Sequence, residues 1–178
     1  KDSMLVSTQV KIDLKNSSPQ NLDAMVRIDS LLWESGNKKL FVDTAVLLAL
    51  VRNDSTIINL SSSLADADVA SNLNYQQMPE LFNEVMAYYL PKQNNEPAAK
   101  AAAGTVVAHI FIKPNDQFSN FVKDFSFKNV LADVSVSNQE KDSVVKGHIA
   151  AKEIKVGENR VSNLAATYWL IGNYLEAK

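Results

Sequence analysis

The chain has 178 residues, 46% of them apolar, and a formal net charge of −2 from 18 Lys and Arg against 20 Asp and Glu. That length suits one domain with a sizeable core, and the near-average composition excludes a disordered, collagen-like or coiled-coil chain. The evenly mixed charge offers no basic face to a phosphate backbone, so nucleic acid is not an expected partner. The absence of Cys removes disulfides, thiolate metal sites and thiol nucleophiles.

Two apolar runs, TAVLLALV (44–51) and TVVAHIFI (105–112), fall far short of the roughly 20 residues a membrane-spanning helix needs. The chain starts at Lys1 with neither an initiator Met nor a signal-like segment, and it is expected to be a piece of something longer.

From the N-terminus, VSTQVKIDLKN (6–16) alternates Val10, Ile12 and Leu14 with Gln9, Lys11, Asp13 and Lys15, which predicts a strand with one wet face. After the turn-rich SSPQN, LDAMVRIDSLLW (22–33) resumes the alternation through Val26 and Ile28. SGNKK (35–39) turns the chain into LFVDTAVLLALVRND (40–54), a strand apolar on both sides, as expected where both faces of a sheet are covered. Residues 55–75 read as one or two further strands rich in small residues.

QQMPELFNEVMAYYL (76–90) changes period. Leu81, Phe82, Val85 and Tyr89 share a helical face, and Pro79 sits in the first turn, where it is tolerated. PKQNNEPAAKAAAG (91–104) reads as a surface loop dividing the chain into halves 1–90 and 105–178. TVVAHIFIK (105–113) is a strand, and PNDQFSNFVKDF (114–125) a short helix capped by Asp116 that presents Phe118, Phe121 and Val122. Segments 129–137, 143–156 and 160–175 complete a chain that is mainly β with minor α, a single β-rich domain over 1–178.

A shift of 121 residues lays IDSLLWESGNKKLFVDTAVLLAL (28–50) over IAAKEIKVGENRVSNLAATYWLI (149–171), aligning Gly36 with Gly157 and Lys39 with Arg160. Gly at that place supplies the positive φ of a tight hairpin, so two matching hairpins are expected, either as a structural repeat or as convergent hairpin chemistry.

Candidate chemistry is sparse. His109 and His148 lie in strands without ligand-spaced neighbours, whereas zinc takes three or four ligands, so no metal is expected. Asp66 and Asp68 share a strand face, a geometry open to Ca²⁺ or acid–base work, but no calcium-loop pattern surrounds them and a solvated face is the simpler reading. Ser61, Ser62 and Ser63 lack a nucleophile elbow, and five glycines form no phosphate loop. Neither an enzyme nor a cofactor is expected. Trp33, Tyr168 and Trp169 can line a ligand surface, although strand aromatics more often belong to a core.

AAKEIKVGENRVSNL (150–164), preceded by DVSVSNQEKDSVVKGHI, resembles the repeating element of the AsmA-like superfamily, most closely the TamB-type proteins of Bacteroidetes, and RIDSLLWESGNKKLFVDTAVL looks like another copy. The matching spans cover 22–50 and 105–171, with short motifs; the Ala-rich 91–104 departs from the pattern. The resemblance implies an elongated, twisted, taco-like antiparallel sheet with an apolar groove. It also implies a periplasmic location in an inner-membrane-anchored protein, and partners that are phospholipid or nascent outer-membrane protein strands, together with an outer-membrane assembly partner.

The residues fit a groove independently, because strands apolar on both faces (40–51, 164–171) need a cover. The expected inward, groove-facing set is Val10, Ile12, Leu14, Val26, Ile28, Ile110, Ile112, Ile154 and Val156. The competing architecture is a closed β-sandwich or barrel-like interaction module in which the same residues form a sealed core.

Overall fold

The computed structural model describes residues 4–18, 20–36, 38–89, 101–115, 117, 125–139, 144–171 and 174–177. Ten strands make one antiparallel sheet whose spatial order is the sequence order. They are β1 (Met4–Ser18), β2 (Asn21–Ser35), β3 (Lys38–Arg52), β4 (Ser55–Ser62), β5 (Ala65–Ser71), β6 (Thr105–Ile112), β7 (Phe125–Ser137), β8 (Val144–Val156), β9 (Asn159–Ile171) and β10 (Tyr174–Ala177). A helix, α1 (Gln77–Tyr89), is inserted between β5 and β6. The sheet does not close on itself: β1 and β10 are its edges, and it curls into an open trough. The mainly-β, groove-like architecture expected from the sequence is the one found, and the closed sandwich or barrel is not.

Alternation explains the strands, and turn chemistry explains their ends. The β2–β3 and β8–β9 hairpins close with the pairs Ser35↔Lys38 and Val156↔Asn159, and each has Gly at φ 60 in its two-residue turn. Both hairpins matched by the 121-residue shift therefore form with the same turn geometry. The serine run serves the β4–β5 turn: Ser62 Oγ accepts from the Leu64 and Ala65 amides and donates to the Ala65 carbonyl. Residues 55–71 thus form two strands. The sheet also continues across the 72–104 insertion, because β5 pairs directly with β6.

Three left-handed residues sit inside strands: Ser30 (φ 55), Asn129 (φ 48) and Asn163 (φ 55). At each one the apolar pattern steps by three positions instead of two, from Ile28 to Leu31, Phe127 to Val130 and Val161 to Leu164. A left-handed residue absorbs such a step by breaking the strict alternation of side chains along a strand. Asn tolerates that backbone because its short side chain relieves little-allowed sterics through local hydrogen bonds.

Several boundaries differ from expectation. β7 starts at Phe125 instead of 129, and the single strand expected over 160–175 ends at Ile171, after which β10 folds back to pair with it. The short helix expected over 114–125 lies outside the described residues apart from Pro114, Asn115, Gln117 and Phe125. Most of the 91–104 loop does too, but it is not surface throughout: Ala101 is buried in the core, while Ala103 is exposed.

α1 starts on a reciprocal cap. Asn74 Oδ1 accepts from the Gln76 and Gln77 amides, and Gln77 Oε1 accepts from the Asn74 amide, which ties down donors at the helix start. The helix lays Leu81 and Val85 onto Leu73, Ala101 and Val136. Burial of each large side chain there contributes on the order of 1.5 to 3 kcal/mol. Glu84 fixes the insertion to the sheet: its Oε2 accepts from the Ala101 amide (2.8 Å) and from Asn138 Nδ2 (3.0 Å) at the end of β7. Phe82, expected on the buried helical face, is instead 54% exposed.

A candidate apolar trough

Register decides which side chains meet. Following the cross-strand pairs from β1 to β9, one row reads Ile12, Val26, Leu47, Leu60, Ala67, Ile110, Ala132, Ile149 and Ala166. All nine are apolar. The adjacent row reads Leu14, Ala24, Ala49, Ile58, Val69, Ala108, Val134, Gly147 and Tyr168. Paired residues share a face of the sheet, so these rows pave one face continuously across nine strands. This is the face on which α1 lies, since Val134 and Val136 pack against the helix cluster.

The opposite face is mixed: one row reads Arg27, Val46, Ser61, Asp66, Phe111, Leu131 and Ala150, and Leu48, Ile57 and Leu131 on this face are 36–45% exposed, while its most polar row crosses the middle of the sheet. The row beside the paved one reads Asp13, Met25, Leu48, Asn59, Asp68, His109, Asp133, His148 and Thr167. His109 Nδ1 lies 2.6 Å from Asp133 Oδ1, His148 Nδ1 lies 3.0 Å from Thr167 Oγ1, and Asn59 donates to Asp68 at 2.6 Å. Among the described residues no three His, Asp or Glu side chains are grouped to hold a metal. Asp66 accepts from Lys113 Nζ (2.7 Å) and Ser61 Oγ (3.0 Å), and chiefly the Lys113 bond holds its carboxyl below the usual carboxylate range. Glu153 is lowered likewise, first by its hydrogen bond to Lys128 and also by Arg160. These carboxylates are engaged as ion-pair partners across strands.

Seven of the nine residues expected to face inward fall in the apolar rows. Ile12, Val26 and Ile110 share the first, Leu14 lies in the second, and Val10, Ile28 and Ile112 occupy the next row, where Val10 pairs with Ile28 and Ile112 with Val130. Ile154 and Val156 lie beyond the left-handed step, where Ile154 pairs with Phe127 and Val161 and Val156 with Phe125 and Asn159. None of the nine is buried. Val10, Ile12, Leu14 and Val156 are more than half exposed, so no sealed core forms from this set. The expectation that β3 is covered on both faces is overturned: Phe41, Leu47 and Leu48 are 37–45% exposed. Only its ends are covered, at Val42 and Val51, because no second layer extends along the strand.

Where α1 meets the paved face, a cavity of about 440 Å³ remains between helix and sheet. Ile58, Val106, Ala108 and Val134 form its floor, and Tyr75, Met78, Pro79 and Phe82 its roof and rim; Asn83 is the one non-aromatic polar residue among those lining it. Sequence reasoning missed this cavity. The signal available was slight: a small residue, Ala108, within an otherwise branched strand, and Phe82 beside an apolar helical stripe.

Two further arrangements were not legible. β4 ends opposite Ala45, which leaves the start of β3 without a neighbour on that side. The Gln117 side chain fills the place: its Oε1 accepts from the Phe41 amide and its Nε2 donates to the Phe41 carbonyl. Gly147 lies under Tyr168, and a Cβ there would come within 2.2–2.5 Å of the Tyr168 ring and hydroxyl. Of the other aromatics singled out, Trp33 pairs with Leu40 beside Val6, and Trp169 pairs with Lys146.

Fold and site together define a class: an open antiparallel meander with one paved apolar face, one mixed face and a helix across the paved side. Comparison of the chain with protein-family models, characterised proteins and solved structures finds no match.

Proposed function

We propose that this chain is a non-enzymatic segment of a cell-envelope protein whose apolar trough carries the acyl chains of phospholipid. The observation behind the reading is the row of nine apolar side chains that crosses nine strands with none of them buried. On the paved face Val10, Ile12, Leu14, Leu47 and Ile149 are 37–66% exposed, and apolar surface left open in this way marks a site for an apolar ligand or partner. The resemblance of 22–50 and 105–171 to TamB-type proteins supports a periplasmic setting within an inner-membrane-anchored chain. No described helix is long and apolar enough to cross a membrane.

Backbone chemistry favours lipid over polypeptide inside the trough. The floor strands β2 to β8 already pair on both sides over most of their length, so a peptide laid across them would find few free donors or acceptors, and unpaired buried amides are costly. A hydrocarbon chain makes no such demand. Nascent outer-membrane protein strands have a suitable place at the free edge of β1, which is exposed along all fifteen residues, and at the part of β9 before Tyr168 that β10 leaves unpaired; this is the second reading.

Native mass spectrometry of the chain purified from cells, with and without added phospholipid vesicles, tests the proposal. Bound phospholipid is the expected result, weakened by Ile12→Asp and Leu47→Asp in the floor. A bare mass under both conditions would overturn it.

A further inference from the structure

We infer that the cavity beneath α1 receives the methyl end of a single acyl chain and thereby sets the chain length the trough prefers. The inference rests on the lipid reading above and adds an orientation to it.

Three features of the cavity point the same way. Its lining includes no charged side chain, so a lipid headgroup cannot be seated there without large desolvation loss, whereas a hydrocarbon terminus can. On one side the core cluster of Leu73, Leu81, Val85 and Val136 seals it. On the other, the Ala108–Val134 floor passes directly into the bare row through Ile110 and Ala132, one pair further along β6 and β7. A cavity closed at the helix and continuous with an open apolar floor is an end stop. A chain lying along the trough enters tail first, and its polar head stays away from α1.

Ala108 makes the stop adjustable, because a larger side chain there fills the cavity from the floor without touching the sealed cluster. The probe is a homologous series of lysophosphatidylcholines that differ only in acyl length, with affinity read by calorimetry on the full chain. Each added methylene is expected to tighten binding about fourfold, the equivalent of about 0.8 kcal/mol per buried CH₂, up to a plateau where the tail reaches Leu81. In Ala108→Leu that plateau should come at shorter chains, while the shortest lipids bind as they do to the unaltered protein. Val134→Phe, which narrows the cavity from the neighbouring strand, should shift it in the same direction and covers the case in which Ala108→Leu misfolds. Nuclear Overhauser contacts should join the terminal methyl of the lipid to the methyls of Leu81 and Ile58.

If lipids bind but the plateau stays in place in both variants, or the terminal methyl contacts Val10 and Ile12 instead, the end stop is wrong and the lipid reading stands. If no member of the series binds the unaltered protein, both fall.

Discussion

Two regions of the paved face differ although their residues are of one kind. Val136 on β7, covered by Leu81 and Val85 of α1, is 6% exposed; on β1, in the same sheet, Val10, Ile12 and Leu14 are 53–66% exposed. Hydrophobicity and strand propensity do not separate Val136 from Val10. An insertion of some thirty residues between β5 and β6 supplies a lid to one and nothing to the other. Stability should therefore concentrate at the helix, while the bare strands hold apolar surface that the fold does not consume.

The sharpest way to break this contrast is a pair of truncations. Leu81→Ala should destabilise the chain by about 2 to 5 kcal/mol, the range for emptying a packed core site, and Ile12→Ala by less than about 1 kcal/mol because little burial is lost. Urea denaturation followed by circular dichroism reads both, and comparable losses would show that the bare end is packed after all.

Glycines sharpen it further. A Cβ on Gly104 would lie 2.4–2.6 Å from three atoms of the Leu73 side chain, inside the helix cluster, whereas on Gly147 it meets the far end of the Tyr168 ring. Gly104→Ala should cost about 1 to 3 kcal/mol through overpacking. Gly147→Ala should cost less, since Tyr168 can swing toward the open trough; a change in near-ultraviolet dichroism with a nearly unchanged melting temperature is the expected sign.

The smallest effect concerns the mixed face. Asp66 and Glu153 are held below their ordinary carboxylate values by Lys113 and by Lys128 with Arg160. A folded-state value below the unfolded one contributes stability that is complete above the unfolded value, about pH 4 to 4.5, and is lost as pH falls through the lowered one. Melting temperature should thus be flat above about pH 5 and fall toward pH 3. Glu153→Gln should make that fall shallower without altering lipid binding, because the pair lies away from the cavity beneath α1.

Much of the architecture was legible because strands on one face of a sheet write their burial into a period of two. Val10, Ile12 and Leu14, or Val26 and Ile28, could be placed from spacing alone, and Gly36 and Gly157 marked their turns through the positive φ that other residues resist. The cavity was not legible. Its lining joins β4, β6, β7 and α1, and the proximity of Ile58 to Phe82 or of Val134 to Met78 depends on how an inserted helix lies across strands far away in sequence. The bidentate Gln117–Phe41 contact, 76 residues apart, was hidden for the same reason.

The sequence by itself determined the strands, the two matching hairpins, the helix and the apolar identity of one face, since each follows from periodicity and local backbone preference within a few residues. Only the tertiary structure decided that the sheet stays open, that one helix covers part of its middle, and that the rest of the apolar face is left uncovered. Whether a face is covered is a property of what packs on it, and local periodicity records only that a face is apolar.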